Sequence, residues 1–229
     1  MSGTNGPGSF PPRMVVPLYR SRMRRQAGLG QRRGTRRGTS HPAILTVSFS
    51  PHFCRGRIPL AFVFSAPGEK EMHAGRPVAG ETGRNLELAL GHLHFSQQTI
   101  FPSSHRYDYR ITNAISTPTA IALGHRISEA PDTGIRAPSN VRRVLRELEG
   151  CSLVVLCGNK AKVLAPALRE SGKSIIEVPH VGNKALNGKF KVPECLRLDS
   201  PRARREHRVR LWADAVVRAI TGEDAGMPA

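Results

Sequence analysis

Hydrophobic and polar positions change period several times along this chain, and each change marks an element. Ile58–Phe64 is a nearly unbroken apolar run, the pattern of a strand covered on both faces. It empties into a stretch punctuated by glycine and proline, Ser65–Gly83, from which a helix begins near Glu81 and continues through Asn85–Leu90. Tyr109–Ile115, Leu153–Cys157 and Ile175–Val178 read as three further strands. Val141, Val144, Leu145 and Leu148 share one face of a helix that Ser139 or Asn140 can cap and Gly150 ends, with Arg142, Arg143 and Arg146 pointing outward. Lys160–Glu170 predicts a helix stopped by Gly172. About Pro201–Ile220, a last helix places Val209, Trp212, Ala213, Val216, Ala219 and Ile220 on one stripe. Residues 116–136 predict a long loop, long enough to point to function or disorder. His41–Phe53 could add an edge strand. Strands alternating with helices predict an α/β protein: a three-layer α/β/α sandwich around a mostly parallel four-stranded central sheet.

Charge adds a second division. The chain of 229 residues holds 35 Lys and Arg against 17 Asp and Glu, a formal net charge of +18. Residues 1–68 carry 11 Arg and no Lys, Asp or Glu, leaving +7 for the remainder. A polyanion is the natural partner for such a distribution, because each neutralised phosphate releases counterions; a solvated basic tail without a partner is the other reading. Residues 1–45 are rich in Gly, Pro, Ser and Arg and read as a disordered tail, residues 46–222 as the folded domain, and 223–229 as a disordered end. A targeting segment or an upstream start would also account for the leader, though its glycines and prolines oppose an amphipathic helix. No run approaches the roughly 18 apolar residues of a membrane span. Cys54, Cys151, Cys157 and Cys195 are scattered without a C-x-x-C pair, which argues against a disulfide framework and a metal site. No cofactor is expected.

Ligands of open α/β sheets bind beyond the carboxyl ends of strands, and the Ser65–Gly83 loop lies there. Its glycines allow close backbone approach, and its prolines limit the entropy lost on binding. An ordinary connection is the alternative, although such connections usually run only about 2–6 residues.

The residues of this loop carry a resemblance. Ala66, Pro67, Gly68, Glu71, Gly75, Pro77, Gly80 and Gly83 stand at the spacing of the first motif of one branch of the uracil-DNA glycosylase superfamily. Arg110-Ile111-Thr112-Asn113-Ala114-Ile115 resembles the family's second strand, and Leu153–Cys157 with Gly158-Asn159-Lys160-Ala161 its third strand and following turn. Val178-Pro179-His180-Val181-Gly182-Asn183 resembles its late His-Pro-Ser loop. The likeness covers about residues 58–187. Ser65 stands in place of the motif glutamate, Phe64 of a glycine, Val78 of a phenylalanine, and Val181-Gly182 of Pro-Ser. Thr117 occupies the place of an iron–sulfur cysteine found in relatives, so no cluster is expected.

The resemblance implies a hydrolase that extrudes uracil, or a related deaminated base, from DNA and cleaves its N-glycosidic bond. His180 is then the donor at the base carbonyl and Asn113 the reader of the base edge, with Ala66, Pro67, Gly68 and Val78 around the base. Taken alone, His180 reads more readily as a surface or capping residue and Asn113 as a turn residue; the place of His180 after the fourth strand of this pattern reverses that balance. Ser65 can hold a water but is a poor base, which predicts reduced or shifted activity unless Glu69 or Glu71 orients the water; Glu71, which matches a family glutamate, reads equally as a solvated loop carboxylate. Phe64, Phe101 or Tyr107 could stack on a base or simply pack the core. Gly182 and Asn183, with Arg202, Arg204 and Arg205 at the start of the last helix, are the expected DNA contacts, the arginines alternatively forming a solvated basic face. The protein is expected to act as a monomer in the cytoplasm, associated with the nucleoid. A silent nucleic-acid-binding module on the same fold is the rival reading, and a nucleoside or nucleotide hydrolase a third.

Overall fold

The computed structural model describes residues 49–119 and 129–222. The expected tails 1–45 and 223–229, residues 41–48 of the candidate edge strand and residues 120–128 of the long loop lie outside the described residues. Six strands form one sheet in the order β1-β2-β4-β3-β5-β6: β1 Phe49–Ser50, β2 Phe53–Cys54, β3 Ile58–Phe64, β4 Tyr109–Asn113, β5 Leu153–Cys157 and β6 Ser174–Val178. The last four in that order run parallel, as the alternation of elements requires. The sheet is nevertheless mixed and six-stranded, because the hairpin β1–β2 adds antiparallel to β4. The register of β3 on β4 shifts between Ile58 and Ala61, where Pro59 has no N–H to offer the ladder.

The pleat of β3 explains why it lacks polar residues. Leu60, Phe62 and Phe64 face one layer, with α2 (Glu81–Ser96) and α9 (Pro201–Thr221), through Leu86, Leu90, Val209 and Trp212. Ala61 and Val63 face the other, with α4 (Pro138–Glu147), α5 (Asn159–Lys162) and α6 (Ala165–Glu170), through Val144, Leu148, Leu164 and Leu168. Both faces are covered, and the molecule is a three-layer α/β/α sandwich. The shorter elements are α1 (Glu69–Ala74), a 3₁₀ turn (Arg106–Asp108), α3 (Asp132–Arg136), α7 (Asn183–Lys189) and α8 (Pro193–Leu196).

Three local expectations are corrected. Helix α4 is entered through Ala137 with Pro138 in its first turn, and neither Ser139 nor Asn140 caps it. The Asn140 amide instead donates to the carbonyls of Ala114 and Ile135, 2.7 and 2.8 Å away. Arg143 does not point outward: it turns in to Glu147 and to the Asn113 carbonyl, 2.9 Å from Nη2. The span Lys160–Glu170 is two short helices, because Pro166 cannot donate to the preceding turn and the helix restarts at Ala165.

Candidate active site

The carboxyl ends of the parallel strands stop in one row, Phe64 registering with Asn113 and Cys157 with Val178. Beyond that row lies a cleft of about 930 Å³. Its walls come from three connections: Ser65–Gly68 after β3, Gly158–Lys160 after β5, and the loop after β6 that carries His180, Gly182 and Asn183. Thr119 and Glu129 reach it from either end of the long loop, and Lys184 and Lys189 from α7.

His180 is the best-defined group there. The Gly182 N–H donates to its Nδ1 over 2.9 Å. A nitrogen that accepts carries a lone pair, so the neutral ring holds its proton on Nε2. Burial lowers the pKa of the imidazole from its ordinary 6.5, against the opposing pull of the Glu129 charge, and keeps the ring neutral at pH 7. Nε2–H has no acceptor among the described residues and is the donor the ring can offer a ligand. Two glycines shape the seat. Gly158, at φ +94°, leaves room for the ring, since a Cβ there would stand 3.0 Å from the His180 Cβ; one on Gly182 would stand 2.8 Å from Nδ1. Phe64 closes the sheet side edge-on, with ring centroids 5.7 Å apart.

The loop holding His180 is pinned from behind. The Trp212 indole donates to the Pro179 carbonyl at 2.7 Å. Asn85, fully buried in α2, donates through Nδ2 to the Val181 carbonyl at 2.8 Å and to Asn183 Oδ1 at 2.9 Å. Its own oxygen accepts from Arg205 Nε at 2.6 Å. Arg205, expected on DNA, thus braces the loop from inside. Arg204 likewise donates to the Leu198 carbonyl, and Arg202, the most exposed of the three, pairs with Glu206 on the same helix. None of the three arginines lines the cleft.

Of the residues expected around the base, Ser65, Ala66, Pro67, Gly68, His180, Gly182 and Asn183 come together in the cleft. Asn113 does not join its described lining. It is buried beside Phe64, whose ring occupies the sheet face next to it, and its carbonyl is held by Arg143. Val78 is also absent from the lining: it packs in the apolar core at φ +45°, a strained value for a β-branched residue. Glu69 is exposed at the start of α1, away from the cleft. Glu71 is a clasp. One oxygen accepts from the Gly68 N–H at 3.0 Å and the other from Ala79 and Gly80 at 2.9 and 3.3 Å, tying the two ends of the first-motif loop together. Phe101 is core, and Tyr107 lies between Arg76 and Arg106 with its hydroxyl on the Pro77 carbonyl.

Sequence reasoning missed Glu129, the three cleft lysines and Asn85. Gly158-Asn159-Lys160 was visible as a turn signal without a role attached. Asn85 stands in line with Ala89 and Leu93 on the buried face of α2, a polar residue on an apolar stripe that the helical period could have singled out.

Compared with known proteins, the sequence matches no protein-family model and no curated protein. Among the described residues, no helix is long and apolar enough to cross a membrane.

Proposed function

We propose that this chain is a glycosylase-type hydrolase that removes uracil, or a related deaminated base, from DNA by cleaving the N-glycosidic bond, the first step of base excision repair. The observation that carries the reading is the orientation of His180: a neutral imidazole whose Nδ1 is occupied by the Gly182 amide, leaving Nε2–H as donor at a cleft beyond the strand ends. As the glycosidic bond breaks, the base gathers negative charge on its carbonyl oxygens. A fixed donor aimed at that charge is worth roughly 2.7–4 kcal/mol of barrier. The base edge is read in this scheme by the Ser65–Gly68 backbone and by Asn183, whose Oδ1 is held by Asn85 so that its Nδ2 remains a donor. Among the described lining residues Lys160, Lys184 and Lys189 outnumber Glu129; Lys160 is paired with Asp132, and Lys184 and Lys189 suit the phosphates flanking an extruded base. DNA is the proposed partner and the monomer the acting form.

Ser65, a neutral hydroxyl where the resembled motif has a carboxylate, favours a second reading: binding of nucleic acid without cleavage. The deciding experiment incubates excess protein with single- and double-stranded oligonucleotides bearing uracil, hypoxanthine or xanthine, then cleaves abasic sites with alkali. The first reading expects strand cleavage from at least one of them, abolished in His180→Ala. Salt-sensitive binding that leaves every substrate intact supports the second reading and removes the first.

A further inference from the structure

We propose that Glu129 is the carboxylate that activates the hydrolytic water, taking the part that the motif position held by Ser65 does not fill; this rests on the glycosylase reading above. The case is one of elimination within the cleft. Glu129 is the only acidic residue among its described lining residues. Glu71 has both oxygens committed to three backbone N–H groups, and Glu69 lies outside the cleft. Glu129 is exposed, has no ion-pair partner among the described residues, and stands near enough to His180 for its charge to act on the ring.

The chemistry is complementary. The base takes the electron pair of the breaking C1′–N1 bond, His180 Nε2–H donates a hydrogen bond to the base carbonyl oxygen where that charge gathers, and the sugar becomes cation-like. A carboxylate in the same cleft stabilises that cation and orients a water toward C1′. The water oxygen forms the new C1′–O bond, its proton passes to the Glu129 carboxylate, and the base departs as an anion that solvent later protonates. Neutral imidazole and ionised carboxylate divide the work between opposite charges on the two fragments.

The test measures single-turnover excision from a uracil-containing oligonucleotide, with pH profiles, for the wild-type protein, Glu129→Gln and Glu129→Asp. Oligonucleotide affinity and melting temperature are measured for each. The expected result is a loss of roughly 10²–10⁴-fold in rate for Glu129→Gln, the range of general-base contributions. Affinity and melting temperature stay unchanged, the acidic limb of the profile disappears, and Glu129→Asp regains part of the rate with the limb intact. If the wild type cuts and Glu129→Gln cuts as fast with the same profile, this assignment is overturned while the glycosylase reading stands. If the wild type cuts nothing at enzyme excess, the glycosylase reading itself fails and takes the assignment with it.

Discussion

The amide of Gly182 and the imidazole of His180 lie 2.9 Å apart, and that one bond decides which ring nitrogen carries the proton. The two residues are neighbours but one in sequence, so the device costs little loop entropy and survives small movements of the surrounding helices. It also makes the donor independent of a second carboxylate behind the ring.

The first prediction is spectroscopic. Long-range proton–nitrogen correlation at pH 7 should show His180 as the neutral Nε2–H tautomer, titrating below 6.5. Observation of the Nδ1–H tautomer would contradict the geometry directly. Gly182→Ala, whose methyl would stand 2.8 Å from Nδ1, should displace the ring and shift this signal while the overall fold persists.

Asn85 should be costly to replace, although it lies behind the cleft wall. Asn85→Leu leaves the buried Val181 carbonyl without its donor and removes one partner each from the exposed Asn183 and from Arg205, which still faces Glu81. The loss should be roughly 1–3 kcal/mol for each buried group left unpaired, seen as a lowered urea midpoint. A midpoint equal to that of the wild type would mean water takes over these bonds.

Glu71 is predicted to matter for stability and not for the pH dependence of any reaction. Glu71→Gln turns one acceptor into a donor facing backbone donors. Melting should fall by several degrees, each 1 kcal/mol being worth about 2–4 °C for a chain of this size. A changed pH–rate profile in this variant would return Glu71 to the reaction.

Gly83 is barred from carrying a side chain. A methyl there would sit 1.6 Å from the Val78 carbonyl oxygen, so Gly83→Ala must push the Pro77–Gly80 backbone aside. The expected cost is about 1–3 kcal/mol or more. Calorimetry showing unaltered stability would refute the packing of this loop.

Acid should weaken the domain in two pH windows. The pKa of His180 is lowered on folding, so its contribution to stability is complete above its unfolded value of 6.5 and is lost as pH falls through the lower folded value. Burial alone would raise the Glu147 carboxyl, but hydrogen bonds from His52 and Thr112 and the Arg143 charge outweigh it and lower the pKa. Its contribution is complete above 4.5 and is lost as pH falls through the depressed folded value. Stability measured from pH 7 to 3 should therefore fall in both windows, and Glu147→Gln should shrink the lower one, to which Asp108 and Asp132 also contribute.

The layers were legible because burial on both faces leaves an unmistakable record: Ile58–Phe64 and Leu153–Cys157 have the limits their apolar runs predict. The hairpin beside β4 was legible only as a candidate edge strand over His41–Phe53, within which β1 lies, since two-residue strands have no period to read. In the cleft, Ser65–Gly68 followed from the place of their loop beyond a strand end, whereas His180 was reached only with the help of the family resemblance. Asn113 shows where that logic stops. A strand end fixes position, but whether a side chain meets solvent depends on its neighbour's bulk, and Phe64 is large. Glu129 was hidden for the opposite reason, being brought to the cleft by a long connection without periodicity.

The chain contains one tryptophan, and its indole N–H is bonded to the Pro179 carbonyl immediately before His180. Tryptophan emission from this protein therefore has a single source, wired to the backbone of the loop that carries the imidazole. An occupant that tugs on that carbonyl will change the emission without any label being attached. Nature has placed the probe where titrations of oligonucleotides or free bases need it.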